Sequence, residues 1–256
     1  MSGLNGLFGM GSNALASFQR AMSVTGQNIA NVSTPGYSRQ EAVLTETLPE
    51  NGRPGQIGTG VQVSEIRRSV DSFVEQQLLN SNERIGQFGA SQKALSQIQI
   101  LFNDANDQGL AAGLNEFFKA WQDVATNPAD LTARTVLLTK ADGLTKVLNQ
   151  ASSQLSAQRI SLDGQVGSSI NDINGLASKI ADLNAQIKLT EVGGQQANDL
   201  RDQRGRFLND LAGLVDISSI EDGNGQVTVF VGVGQVLVTD RTAFKLTGVP
   251  DATNGG

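Results

Sequence analysis

The chain has 256 residues, of which only 5% are aromatic, and a net charge of −6. That length supports one or two domains with a sizeable core, while the low aromatic share and the many Ser, Thr, Asn and Gln residues fit an elongated shape. The absence of Cys and His excludes disulfides, thiolate and imidazole metal ligands, and thiol- or His-based catalysis. The negative charge argues against a phosphate-binding surface, so no nucleic-acid partner is expected. Composition favours a structural or binding protein over an enzyme, with no cofactor. No run approaches 18 apolar residues, so no membrane span is expected. The N-terminus lacks the basic and apolar regions of a cleaved secretory signal.

Residues 1–35 carry a seven-residue repeat. Leu4, Gly11, Phe18, Thr25 and Val32 form one register, and Phe8, Leu15, Met22 and Ile29 the other. This spacing predicts an amphipathic helix with an apolar seam. Two readings of the seam stand: it faces the chain's own core, or it faces another chain or a distant segment. The strict repeat favours the second. Gly3, Gly6, Gly9 and Gly11 weaken the helix at its start and predict that the first dozen residues fray on their own. Ser33-Thr34-Pro35-Gly36 is a turn signal. Residues 36–66 read as an extended linker with short strands, a loop lying between Pro49 and Gly60, and Val61–Ile66 alternating as a strand.

Residues 67–215 read as long helices. Val74, Ser81, Phe88, Leu95 and Phe102 share one register from 68 to 104, beside Leu78 and Ile85. A shorter helix presents Leu114, Phe117, Phe118 and Trp121, read as a core anchor with a subunit contact as the alternative. Asn127 and Pro128 fit the N-cap and first position of the next helix. That helix has a seam through Leu144, Leu148, Ala151, Leu155, Gln158 and Leu162 and resumes at Ile173, Leu176, Ile180, Leu183 and Ile187. Val166 and Ile170 form a stutter between the two halves, and Gly164 and Gly167 suggest a bend there. Gly193-Gly194 closes the element, and a further helix from about 196 to 214 follows, by the same 3.6-residue period. Residues 216–256 read as a β-hairpin region around Asp222-Gly223-Asn224-Gly225, ending at Thr253–Gly256 as if cut at a loop.

Few chemical motifs survive inspection. Asp104-Ala105-Asn106-Asp107-Gln108-Gly109 opens like a calcium loop, but Asn115 stands where the closing Glu is needed and Glu116 is one late. Gly232-Val233-Gly234 lacks the third glycine and the helix of a dinucleotide site. Asn31-Val32-Ser33 is a lone sequon. Glu221 and Asp222 read as solvated beside a turn. Arg201, Arg204 and Arg206, interleaved with Asp199, Asp202 and Asp210, read as a charged helix face or ion-pair ladder.

A more specific pattern is Asn28-Ile29-Ala30-Asn31-Val32-Ser33-Thr34-Pro35-Gly36-Tyr37. It resembles the N-terminal signature of the flagellar rod, hook and hook-associated proteins. Tyr37-Ser38-Arg39-Gln40, Gly58-Thr59-Gly60-Val61, the stretch Phe117-Phe118-Lys119-Ala120-Trp121-Gln122-Asp123, and Ala197-Asn198-Asp199-Leu200-Arg201-Asp202-Gln203-Arg204 are similar to the hook-associated protein 1 family among these.

The resemblance implies a bacterial flagellar structural subunit at the hook–filament junction, with a hook or rod component as the alternative. It implies extracellular localisation after type III export without signal cleavage. The implied partners are copies of itself, hook protein, the second junction protein (hook-associated protein 3), and an export chaperone with the export apparatus. It also implies an N-terminal portion of a longer protein, whose C-terminal helix pairs with the seam of Leu4, Phe8, Leu15, Phe18, Met22, Ile29 and Val32. The expected fold is mainly α: an elongated long-helix bundle or coiled coil, with a small β-hairpin region and an N-terminal amphipathic assembly helix. Burying each large seam residue offers roughly 1.5–3 kcal/mol, while fixing each residue's backbone costs about 1–2 kcal/mol. Folding of residues 1–35 coupled to assembly is therefore expected.

Overall fold

The computed structural model describes residues 3–51, 53, 55–102 and 109–249. The calcium-like opening at 104–108, Gly52 and Pro54, and the closing stretch 253–256 lie outside the described residues. In chain order the elements are helix α1 (Gly3–Ala30), strands β1 (Gln40–Glu46), β2 (Glu50–Asn51), β3 (Gln56–Ile57) and β4 (Val61–Arg68), helices α2 (Ser72–Leu101), α3 (Leu110–Thr126), α4 (Leu131–Glu191) and α5 (Asn198–Ala212), and strands β5 (Ile217–Glu221), β6 (Val227–Val231), β7 (Gln235–Thr239) and β8 (Thr242–Ala243). The fold is mainly helical with small antiparallel sheets, as the periodicities predict. The chain forms two compact units, one joining the residues up to Gly86 to those from Asp172 onward, the other spanning Gln87–Asn171.

In the first unit β1 and β4 form an antiparallel hairpin from Gln40↔Arg68 to Glu46↔Val61, with a register slip between Val43 and Leu44. The short pair β2 and β3 lies between them in sequence, and α1 packs on the hairpin. The glycine-rich start of α1 is helical from Gly3 in the whole chain. Each glycine costs about 1 kcal/mol, but once a nucleus exists each added residue gains a hydrogen bond.

The apolar core of this unit joins the C-terminal part of α4 (Ile173, Ala177, Ile180, Ala181), α5 (Leu208, Leu211, Ala212), the sheet (Ile217, Val227, Val229, Leu237, Val238) and Leu79 of α2. The resumed half of the α4 seam is thus its buried face. The predicted hairpin is the first turn of a four-stranded antiparallel sheet, in the order β5-β6-β7-β8. Asp222 closes that turn, its Oδ1 accepting from the Asn224 and Gln226 N–H groups at 2.9 and 2.8 Å. The Gln226 bond first, with the Asn224 bond, lowers the Asp222 carboxyl pKa from its ordinary value, burial opposing.

Asn184 of α4 ties helix to sheet and is fully buried. Its amide donates to the carbonyls of Val227 and Asp240, both at 2.8 Å. Its oxygen accepts from the Val227 N–H at 3.1 Å and from Arg204 at 2.9 Å. All four of its hydrogen-bonding positions are used, as a buried amide requires.

The second unit holds the end of α2, all of α3 and the first part of α4. α4 is helical without a break through Gly164 and Gly167. Asn127 is not the N-cap of α4. A residue before proline is disfavoured in the helical region, and Asn127 sits at φ −130°, ψ 76°, ending α3. Asp130 caps α4 instead, accepting from the Thr132 N–H at 2.8 Å.

The core-anchor reading of Trp121 also fails. Trp121 is 58% exposed and Phe118 is exposed beside it. Phe117 is half-buried, edge-on to Phe118 with centroids 5.4 Å apart. Among the described residues of this unit only Ala120 is fully buried, so no layer covers the outer face of α3. Lys140 and Glu116 join α4 to α3 at 2.8 Å.

α2 and α5 approach closely in the first unit. A Cβ on Gly86 would lie 2.1 Å from the Gly213 carbonyl oxygen, whereas one on Gly89 would meet nothing within 4 Å. Backbone cannot yield as a flexible side chain can, so Gly86→Ala is expected to lower stability by about 1–3 kcal/mol. Gly89→Ala should instead be neutral or raise it by up to ~1 kcal/mol. Urea unfolding of the two variants beside the parent chain checks this.

Candidate functional site

α1 has two stripes, and only one was legible as hydrophobic. Leu4, Phe8, Leu15, Phe18, Met22 and Ile29, with Val32 just past the helix end, are all exposed, from 54% at Phe18 to 82% at Val32. The opposite stripe, Met10, Ala14, Ser17, Ala21, Val24 and Asn28, continued by Asn31, is buried or half-buried. It follows the same seven-residue repeat, but apart from Met10 and Val24 its residues are small or polar, so its hydropathy signal is weak beside that of the outer stripe. Their size lets the helix approach the hairpin closely. The Ser17 hydroxyl lies 2.8 Å from the Asn13 carbonyl and 3.1 Å from that of Val61. Met10 Cγ would stand 3.0 Å from a Cβ on Gly60.

The signature residues form the corner after α1. Asn28 extends the hairpin ladder with its side chain, donating to the Gln40 carbonyl at 2.8 Å and accepting from the Gln40 N–H at 2.9 Å. The same oxygen accepts from the Tyr37 hydroxyl at 2.9 Å. Asn31 donates to the Gln27 carbonyl at 3.1 Å and accepts from the Thr34 hydroxyl at 3.1 Å. Pro35 fixes the turn, and Gly36 takes φ +72° with Arg206 of α5 over it, a conformation that favours glycine. Ile29 and Ala30 face outward. No sequence argument linked this turn to residues 197–204, yet the fold joins them. The Ser38 N–H donates to Asp202 at 2.9 Å and the Gln40 side chain to Asp199 at 3.1 Å. Arg68 pairs with Asp202 at 3.0 Å and Asn198 donates to the Ile66 carbonyl at 2.7 Å. Burial, then the carboxylates of Asp199 and Asp202, push the Tyr37 hydroxyl above its ordinary pKa.

The charges of α5 form ion pairs with other elements rather than a ladder along the helix, although Asp199 and Asp210 are exposed. Asp202 is 4% exposed and Arg204 is likewise buried, and their partners lie on other elements. Arg201 grips Glu191 through two bonds, at 2.7 and 2.9 Å, and also bonds Glu221. Arg204 donates to Asn184 at 2.9 Å, the Gly225 carbonyl at 2.6 Å and Glu221 at 2.9 Å. Burial pulls the Arg204 pKa down to about 10, with Glu221 opposing, so it remains charged at neutral pH. Gly225, at φ +75°, leaves no room for a Cβ beside Arg201 and Glu191. Glu221 is thus an ion-pair partner, and Asp222 a turn former, with no shared acid–base arrangement.

Among the described residues no cluster of three or more His, Cys, Asp or Glu could hold a metal ion. No described helix is long and apolar enough to cross a membrane. The site thus consists of an exposed apolar stripe, the polar seat that orients it, and the turn that fastens the seat to α5.

The family model for the flagellar hook-associated protein FlgK helical domain matches residues 95–256. The chain belongs to this family. Residues 9–37, which hold most of the α1 stripe and the signature turn, match the model for flagella basal body rod proteins. Flagellar hook-associated protein 1 of Bacillus subtilis is 32% identical over 250 residues, covering 94% of this chain and 49% of that protein. The protein of the same name from Salmonella typhimurium is also 32% identical, over 98% of this chain and 46% of its own length. The chain spans about half the length of these curated relatives. The flagellar hook junction protein FlgK from Burkholderia pseudomallei aligns in structure with a TM-score of 0.54 at 28% identity, over 65% of this chain and 29% of that one. The family match runs through α5 and its buried carboxylate.

Burial opposes ionisation of Glu191, but the Arg201 hydrogen bonds, the Ala197 N–H and the charges of Arg201 and Arg204 outweigh it and lower its pKa. A carboxylate with a depressed folded pKa contributes stability above its unfolded value and loses it as pH falls through the folded one. Stability should therefore decline as pH drops below about 4.5, the ordinary value of the group. Urea midpoints measured from pH 7 to 3 should fall less steeply for Glu191→Gln than for the parent chain.

Proposed function

We propose that this chain is the N-terminal portion of a structural subunit of the bacterial flagellum that forms the junction between hook and filament. The observation that carries the reading is α1, whose large apolar residues face outward while its small and polar residues are fastened to the hairpin. A row of six apolar side chains on one helix, continued by Val32, is a surface for packing rather than for chemistry. The family match and the names of the relatives support placing that surface in the flagellum. The reading includes assembly through Leu4, Phe8, Leu15, Phe18, Met22, Ile29 and Val32 against copies of the same subunit. The implied neighbours are hook protein and a second junction protein. Type III export without signal cleavage, assisted by a chaperone, belongs to the same reading, as does the absence of enzymatic activity. The long helices and the four-stranded sheet then serve as the body that carries the assembly helix.

A hook or rod component is the second reading, favoured by the rod-protein match at residues 9–37. Gold-labelling of the full-length protein on isolated flagella separates the two. A single band at the distal end of the hook is the expected result, and label along the hook or rod would select the second reading.

Coupled folding gives a further prediction. A peptide of residues 1–35 lacks the hairpin that seats the polar stripe, and an isolated helix of this length with four early glycines is marginal. Circular dichroism should find it largely unfolded as a monomer in dilute buffer. A fully helical monomer would contradict folding coupled to assembly.

A further inference from the structure

Residues 3–69 form an arm, comprising α1 and the β1/β4 hairpin, with internal hydrogen bonds of its own. Its last backbone bond runs from the Ser69 N–H to the Arg39 carbonyl at 2.7 Å. Two residues later Asp71 begins the next element, capping α2 through the Phe73 N–H at 2.9 Å. Val70 alone stands between these two anchored residues, in neither strand nor helix and exposed. The arm has one covalent connection to α2 and the rest of its unit, and that connection is Val70.

Besides the Arg206 stem lying over Gly36, the non-covalent attachment is polar. Among the described residues, the apolar core cluster of this unit contains no residue before Leu79. The arm is held on α5 by the Ser38 N–H and Arg68 on the two oxygens of Asp202, by Gln40 on Asp199, and by Asn198 on the Ile66 carbonyl. Asp202 receives one bond from the turn and one from the far strand of the hairpin, so a single carboxylate holds both ends of the arm's base. Arg68 also reaches Glu75 at 3.3 Å. That bond spans the hinge but leaves the arm's position on α5 to Asp202. An interface of hydrogen bonds exchanges protein partners for water at modest net free energy, unlike the apolar core beside it. Its loss therefore releases the arm without exposing that core.

We propose that the arm is a separately movable piece, hinged at Val70 and latched onto α5 by Asp202. The latch fixes the direction in which the exposed stripe of α1 points, and opening it frees the arm as a folded unit. Hinges of this kind are one or a few residues between rigid elements. The inference concerns the chain's own mechanics and stands whether or not the flagellar placement holds.

The chain has no cysteine, so spin labels can be placed at Glu46→Cys on the arm and Asp210→Cys on α5, both exposed positions. Double electron–electron resonance on the whole chain should give one narrow distance distribution. Adding Asp202→Asn should broaden it to longer distances, while the cooperative thermal unfolding of the sheet-bearing body is retained. Arg68→Gln and Gln40→Ala together should broaden it in the same direction, and they carry the test if Asp202→Asn fails to fold. A narrow distribution unchanged by these substitutions would overturn the latch. Broadening accompanied by loss of the body's cooperative transition would overturn the separate arm.

Discussion

The seat of α1 on the hairpin is the constraint on which the rest of the N-terminal structure depends. A helix with two seven-residue stripes can bury either one. Here the buried stripe is the small and polar one, because Ser17, Asn28 and Asn31 offer hydrogen bonds and the alanines between them allow close approach. Asn28 fixes where α1 sits, since its amide takes both backbone groups of Gln40 on the edge of β1. With that face committed, Phe8, Phe18 and Met22 have nowhere to go but outward. The apolar exposure is thus a consequence of polar specificity on the other side. Burying the outward face internally instead would leave the Asn28 amide and the Ser17 hydroxyl without their partners on the hairpin.

α5 is the second organising element. Its acidic residues near the N-terminus hold the arm, its arginines bind Glu191, Glu221 and the Gly225 carbonyl, and its leucines enter the core. Asn184 and Arg204 share a bond at the centre of this arrangement, linking α4, α5 and the β5–β6 turn. The buried charges are individually expensive and hold together because each is paired. Their geometry explains two glycines. Gly225 makes room for Arg201 and Glu191, and Gly36 supplies the left-handed turn beneath Arg206.

Much of the architecture was legible in the sequence. The helices follow from their 3.6-residue periods, the sheet from β-branched alternation and an Asp-Gly-Asn-Gly turn, and the exposed seam from its strict repeat. The illegible parts have physical causes. The inward stripe of α1 carries a weaker hydropathy signal than the outer one, because beyond Met10 and Val24 its contacts are made by hydrogen bonds and small size. The pairing of residues 28–40 with 198–202 is long-range, and local pattern holds no record of it. Asp202 and Arg204 look like surface charges because their burial depends on partners over a hundred residues away for the one and on a turn for the other. Trp121 looked like core because aromatic residues usually are, yet burial needs a covering layer and none lies over the outer face of α3. Asn127 looked like a cap, but a turn from Asn127 to Asp130 intervenes and α4 starts only at Leu131, with Asp130 as its cap.

The two kinds of surface on the arm differ in how they bind. A polar contact such as that between Asp202 and the turn is directional, fixing orientation at small net free energy. An apolar stripe is the reverse, since burial scales with area and depends weakly on angle. Placing orientation in the polar contact and binding strength in the apolar one separates the two tasks. A partner that buries Phe8, Leu15, Phe18 and Met22 gains roughly 1.5–3 kcal/mol from each side chain fully covered. Three of the four hydrogen bonds on α5 go to carboxylates, and such bonds contribute about 1.5–3 kcal/mol each. The two contributions are of similar size, so a partner competes with the contact on α5 if the two disagree about the arm's direction. Where they agree, the arm is already oriented and less conformational entropy is lost on association.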